Sequence, residues 1–170
     1  MFDISTFTKL SCIDGVGLIT QDIINVSEVL KSMIDDGLDI NMTPLNYNLQ
    51  DVVNYIKLCQ LRKINKIAVE PLNDELSVFE RSYFESLESE ITDEYRKLDP
   101  VGAIICISDF LNNEGITDSC AKYIVERISK YSNDIQGLRK ILQVENDFTE
   151  QEEAKIRKAN AWCCSAENSS

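Results

Sequence analysis

Histidine is absent from all 170 residues. That removes the commonest general base, the Ser–His and Cys–His nucleophile pairs, and every metal site that needs an imidazole. No Gly-rich phosphate loop and no spaced pair of catalytic carboxylates takes its place, so an enzyme is the disfavoured class. Cations are scarce too: 17 Lys and Arg stand against 29 Asp and Glu, a formal net charge of −12. Phosphate backbones are held by patches of Lys and Arg that release counterions, which argues against nucleic acid and equally against an anionic membrane surface. No apolar stretch approaches the length of a transmembrane helix. The opening MFDISTFTKL lacks the charged start and long apolar run of a secretion signal. Among six cysteines there is no C-x-x-C pair. Cys12, Cys59, Cys106 and Cys120 read as small core thiols of a reducing compartment. Adjacent Cys163 and Cys164 lack the second cysteine pair or terminal motif that metal binding or prenylation would need. The expectation is a chain of cytoplasm and nucleus that carries no cofactor.

What is present suffices for one domain with a short appendage. A hydrophobic fraction of 44% with 27% charge is that of an ordinary globular protein. Phe7–Ile13, the turn Asp14-Gly15 and Val16–Thr20 predict a hairpin weakened by two glycines. From Val26, the spacing Val29, Leu30, Met33, Ile34 predicts a helix, closed by Gly37 in the left-handed position. Pro44 confines Met42–Leu45 to an edge strand or extended link. Asn48 then caps a helix with Leu49, Val52, Val53, Ile56 and Cys59 on one face. Residues 64–92 are broken by Pro71 and dominated by acids, and read as a solvated linker holding at least one helical turn. Asp99-Pro100 opens a helix through Leu111, although Ala103–Ile107 alone would suit a buried strand. Thr117 or Asp118 starts the next helix, and Ser132-Asn133-Asp134 the one after. Strands first and helices thereafter make the fold class α+β.

The last stretch, Val144–Cys164, holds the strongest local signal. Thr149 with Glu152 three positions on is a capping box. The helix that follows has a narrow apolar stripe, essentially Ile156 and alanines, and runs to Trp162, the single tryptophan. Such a helix buries little by itself. Either Trp162 ties the tail to its own domain, or the helix lies over a partner.

The run LRKILQVENDFTEQEEAKIRKANAWC (Leu138–Cys163) closely resembles the C-terminal signature of the Skp adaptor family, the linker subunit of SCF (Skp–cullin–F-box) ubiquitin ligases. The matching positions are Asn146 to Thr149, Glu152 or Glu153, Ala154, Ile156 to Lys158, Asn160, Trp162 and Cys163. The likeness continues upstream through Asp93–Asp99, Asp109-Phe110-Leu111, Gly115 to Cys120, Pro44-Leu45 and the Leu10–Gly15 hairpin. It implies a BTB/POZ-like domain over 7–128, with the acidic linker at about 64–92, C-terminal helices over 129–165, and a disordered tail at 166–170.

The resemblance also implies partners. The family's last helices interleave with an F-box motif, and its BTB/POZ face meets the N-terminal region of a cullin. The implied function is non-catalytic: an adaptor that holds a receptor's substrate near a charged conjugating enzyme, raising its effective concentration and promoting ubiquitin-dependent degradation. Carried onto this chain, the F-box contacts are Val101, Ile105, Tyr123, Ile124, Ile128, Leu142, Ile156, Asn160 and Trp162. Asp109 and Phe110 stand where the family has an Asn-Tyr pair touching the cullin. Phe110 keeps the ring without the hydroxyl, and Asp109 adds a charge. Gly102 stands where a large aromatic is usual, and Asn133-Asp134 replaces a Thr-Pro. The alternative is a divergent structural protein that binds F-box partners, or forms a weak homodimer through its POZ face, without a cullin.

Overall fold

A computed structural model of the chain describes residues 7–38, 45–65, 75–132 and 134–161. The expectations for Met42–Leu45 up to Pro44, for Asn133, and for Trp162, Cys163 and Cys164 lie outside the described residues. Two strands open the chain, β1 (Phe7–Ser11) and β2 (Val16–Thr20), paired antiparallel with Leu10 opposite Gly17. Helices follow: α1 (Gln21–Asn25), α2 (Glu28–Asp35), α3 (Leu49–Ile64), α4 (Val78–Ser89), α5 (Asp99–Phe110), α6 (Glu114–Ser129), α7 (Ile135–Ile141) and α8 (Glu150–Ala159). A short 3-10 turn, Glu94–Arg96, precedes α5. This is the expected α+β, BTB/POZ-like order, with the described strands confined to the first 20 residues.

The hairpin lies on α3. Leu10 and Ile19 point inward and are buried, while Val16 and Leu18 alternate outward. Gly17 makes the approach close: a Cβ there would stand 3.3 Å from Val52 Cγ1. Val52, Tyr55, Ile56 and Cys59 form the buried face of α3, a helical spacing legible in the sequence. Its cap is not. The Asn48 side chain makes no capping bond; instead the Leu49 N–H donates to Asp14 Oδ1 of the hairpin turn at 2.6 Å. The chain also turns once more than expected before α2. Ile23 and Ile24 are buried in α1, and Ser27, not Val26, starts the following helix. Gly37 takes φ +72° as predicted.

α5 runs through the centre, with Val101, Ile104 and Ile107 fully enclosed. Helix prevails over the strand reading of Ala103–Ile107 because Pro100 sits in the first turn, where its missing N–H costs no bond. α6 packs alongside and begins three residues earlier than expected, at Glu114. Its start is pinned by Asn113, whose Nδ2 donates to Tyr55 Oη at 3.0 Å inside the core.

The acidic stretch differs most from expectation. α4 has three turns, and Phe84 and Leu87 are buried, with the Phe84 ring 4.9 Å from that of Tyr123. Ion pairs tie it to other helices, two through its own acids and one through its arginine. Glu80, almost fully buried, pairs with Arg62 of α3 and accepts from Ser119 at 2.7 Å. Glu88 meets Arg127 of α6 at 2.8 Å. Arg81 grips Glu126 of α6 through both terminal guanidinium nitrogens, Nη1 and Nη2. The described part of this region is thus a docked helix, because cations distant in the sequence compensate its charge.

Candidate functional site

α7 begins where Asp134 Oδ1 accepts from the Gly137 N–H at 2.9 Å. Gly137 packs so closely that a Cβ would stand 2.6 Å from the Tyr131 ring. Ile141 reaches the core, the Lys140 ammonium lies 5.1 Å over the Tyr95 ring, and Gln143 donates to Asp99 at 2.6 Å. From Leu142 onward no described residue belongs to the hydrophobic core.

An irregular linker, residues 142–149, leads to α8. Gln143 takes a positive φ of 53°, and Asn146 Oδ1 accepts from the Phe148 N–H at 3.2 Å, a local turn. The expected capping box is complete: the Thr149 hydroxyl accepts from the Glu152 N–H at 3.3 Å, and Glu152 Oε2 accepts from the Thr149 N–H at 2.9 Å. The bond from the Thr149 N–H, followed by one in which the Thr149 hydroxyl donates to Glu152 Oε2 at 2.7 Å, holds the Glu152 carboxyl below the usual glutamate range.

The residues assigned to partner contact fall into three groups. Val101 and Tyr123 lie within the chain's own core, so in this conformation they present no surface. Burial, with Glu88 beside it, pushes the Tyr123 hydroxyl upward. Ile105, Ile124 and Ile128 pack against that core with part of their surface open. Leu142, Ile156 and Asn160 are exposed, and Asn160 Nδ2 donates to the Ile156 carbonyl at the end of α8. Three further apolar side chains, which the sequence does not assign to partner contact, stand open in the C-terminal part: Ile135, Val144 and Phe148. Their signal was available, since a Val and a Phe bound an otherwise polar linker. These side chains lie outside the hydrophobic core of the described residues and are open to contact.

At the far end of α5, Asp109 is exposed and Phe110 is half exposed. The Phe110 ring meets Tyr47 edge-on, with centroids 6.2 Å apart, and Tyr47 Oη donates to the Cys106 carbonyl at 3.0 Å. Tyr47 is the member of this group that the sequence did not reveal, because 59 residues separate it from Cys106. Asp109 lines an open cleft of about 340 Å³ with Asn112, Glu114, Thr117 and Asp118, an acidic neighbourhood. Gly102 sits on α5 with nothing within 4 Å of where a Cβ would be, so the position of the family's large aromatic is open space.

A second cleft, about 300 Å³, opens between α1, the end of α3 and the start of α6. Of its polar groups, Lys63 pairs with Asp22, Arg62 with the buried Glu80, and Asn113 donates to Tyr55 in the core. Among the described residues no group of three or more Cys, Asp or Glu could hold a metal ion, and no helix is long and apolar enough to cross a membrane. Cys59 and Cys120 are buried as expected, and burial pushes the Cys59 thiol up to about 12. Cys106 is exposed, against expectation, because it falls on the outward side of α5.

Comparison with known proteins agrees with these features. Residues 114–163, which span α6, α7 and α8, match the model of the Skp1 family, dimerisation domain. The chain is similar to SKP1-like protein 14 of Arabidopsis thaliana, 26% identical over 135 residues, covering 79% of this chain and 80% of that protein. It is similar to the S-phase kinase-associated protein 1 homolog of Tetrahymena thermophila, 26% identical over 168 residues, 93% of this chain and 94% of that protein. Similarity to SKP1-like protein 19 of Arabidopsis thaliana is higher but local, 39% over 59 residues, 35% of this chain and 28% of the other.

Proposed function

We propose that this chain, similar to the Skp1 family, is a divergent member of it and a non-catalytic adaptor linking F-box substrate receptors to a cullin scaffold in an SCF-type ubiquitin ligase. The observation that carries this reading is the exposed apolar segment of the matched region, Leu142, Val144, Phe148 and Ile156, on elements with no place in the hydrophobic core. Ile124 and Ile128 of α6 add a partly open apolar border. In this reading Asp109 and Phe110 of the 7–128 domain serve the cullin side, and Ile105, Ile124 and Ile128 join residues 129–165, with Trp162, on the receptor side. The chain acts in cytoplasm and nucleus. Its chemistry is proximity alone, converting a bimolecular encounter of substrate and conjugating enzyme into one within a single assembly.

One observation favours a second reading, in which F-box binding persists without a cullin. Asp109 carries a charge into a surface already acidic with Glu114 and Asp118, and Phe110 offers no hydroxyl. Mixing the full chain with an F-box domain and a cullin N-terminal domain separates the two on a sizing column. A ternary species is expected. A binary F-box complex that leaves the cullin free would transfer the conclusion to the second reading, and a chain eluting alone would end both.

A further inference from the structure

Among the described residues, α8 meets the rest of the molecule chiefly through one carboxylate. None of its residues is buried, and of its ten residues Glu153 alone is substantially shielded, its side chain 20% exposed. Glu153 Oε1 accepts from Arg139 Nη1 of α7 at 2.6 Å and from Asn146 Nδ2 of the linker at 3.0 Å. Its Oε2 accepts from Arg157, one turn further along α8, at 3.5 Å. The group therefore touches all three segments whose relative placement sets the direction of the helix.

Each partner is itself held. Arg139 is as shielded as Glu153 and stands on α7, which the core and Tyr95 hold directly and Asp99 holds through Gln143 just beyond its end. The Arg139 carbonyl also accepts from the Val144 N–H at 2.8 Å, so the same residue steers the start of the linker. Asn146 divides its amide, Oδ1 turning the linker at Phe148 and Nδ2 reaching Glu153. The line of anchorage runs from the core through α7 to Arg139, across Glu153, and into α8.

We infer that Glu153 is the positioning residue of the receptor-binding helix: shared between Arg139 and Asn146, its carboxylate sets where α8 lies before a partner arrives, with Phe148 and Ile156 open. The inference rests on the reading of α7 and α8 as the receptor side. A polar latch suits this task. Charge-assisted hydrogen bonds fix direction, while a partly exposed ion pair is weak enough to be rearranged as apolar surface docks. Holding the helix near its bound placement removes part of the ordering cost of association. A receptor meeting a loosened α8 binds only the fraction correctly placed, and its apparent affinity falls by that fraction.

The test uses the full chain, with Glu153→Gln, Arg139→Gln and the double variant. Two quantities are followed: amide exchange across residues 150–159, and affinity for an F-box domain at low and high salt. Each single variant is expected to speed exchange in α8 and weaken the affinity by about fivefold, as loss of one partly exposed pair implies. Because both remove the same contact, the double variant should be no worse than either single one. The wild-type advantage should shrink at high salt. Additive losses, unchanged exchange in α8, or tighter binding by either single variant would overturn the assignment. Should the wild type bind no F-box domain, the adaptor reading falls, while the exchange measurements still decide whether Glu153 holds the helix.

Discussion

At the scale of single residues, Ser27 shows how one small side chain can serve two elements. Its hydroxyl accepts from the Leu30 N–H at 3.2 Å, capping α2, and donates to the Leu111 carbonyl at 2.6 Å, fastening that helix to the end of α5. Ser27→Ala removes the cap and strands a buried carbonyl. Together these should lower unfolding free energy by about 2 kcal/mol, read from urea denaturation. A loss of only a few tenths would mean that water or a shifted backbone replaces the hydroxyl. Serine before a helical spacing is a recognisable cap, whereas its bond 84 residues away has no local signature. Val101 and Tyr123 make the complementary point. Family likeness assigned them to a partner surface, yet in the free chain they complete the core, so substituting them would disturb stability before it reported on binding.

At the scale of elements, α4 and α8 illustrate two ways of attaching a helix. α4 buries Phe84 and Leu87 and adds three cross-helix ion pairs, whereas α8 contributes nothing to the core. Both attachments involve a carboxyl held below its usual range: Glu126 of α6 by the hydrogen bond from Arg81 of α4, and Glu152 of α8 by the Thr149 backbone and hydroxyl. A lowered carboxyl contributes stability that is complete above the ordinary carboxylate range and is lost as pH falls through the lower, folded-state value. Acidification below about pH 4 should therefore loosen these attachments before the central helices yield. Amide exchange between pH 7 and pH 3 should show α4 and the first turn of α8 losing protection ahead of α3 and α5. Simultaneous loss everywhere would mean that the ion pairs add nothing separable from the core. The full length and docking of α4 are not legible locally, because Phe84 and Leu87 stand among acids, and the arginines that pair with Glu80 and Glu88 belong to α3 and α6.

At the scale of the whole molecule, the surplus of acid bears on assembly. A net charge of −12 favours basic partners and repels acidic ones, most strongly where acids gather. Asp109 adds to such a gathering with Glu114 and Asp118. If the Phe110 end of α5 meets a cullin, Asp109→Asn should strengthen that contact severalfold, about 1 kcal/mol, with F-box affinity unchanged. Titration with a cullin N-terminal domain measures this, and an unaltered affinity would show that the surface is unused.

The sequence by itself determined the class of the molecule and most of its helices. The hairpin, the Gly37 stop, the Asp134 cap, the Thr149–Glu152 box and the apolar face of α3 rest on contacts within a few residues, so spacing and residue type suffice to specify them. The lack of histidine and the C-terminal signature likewise needed no coordinates. Tertiary structure decided what depends on residues far apart in the chain. It placed Asp14 rather than Asn48 at the head of α3, docked the acidic α4 through Arg62 and Arg127, and enclosed Val101 and Tyr123. It also left α8 outside the core, with Glu153 bonded to Arg139. Each of these is a pairing of charge, hydrogen bond or volume between distant segments, and only the packed chain brings such partners within reach.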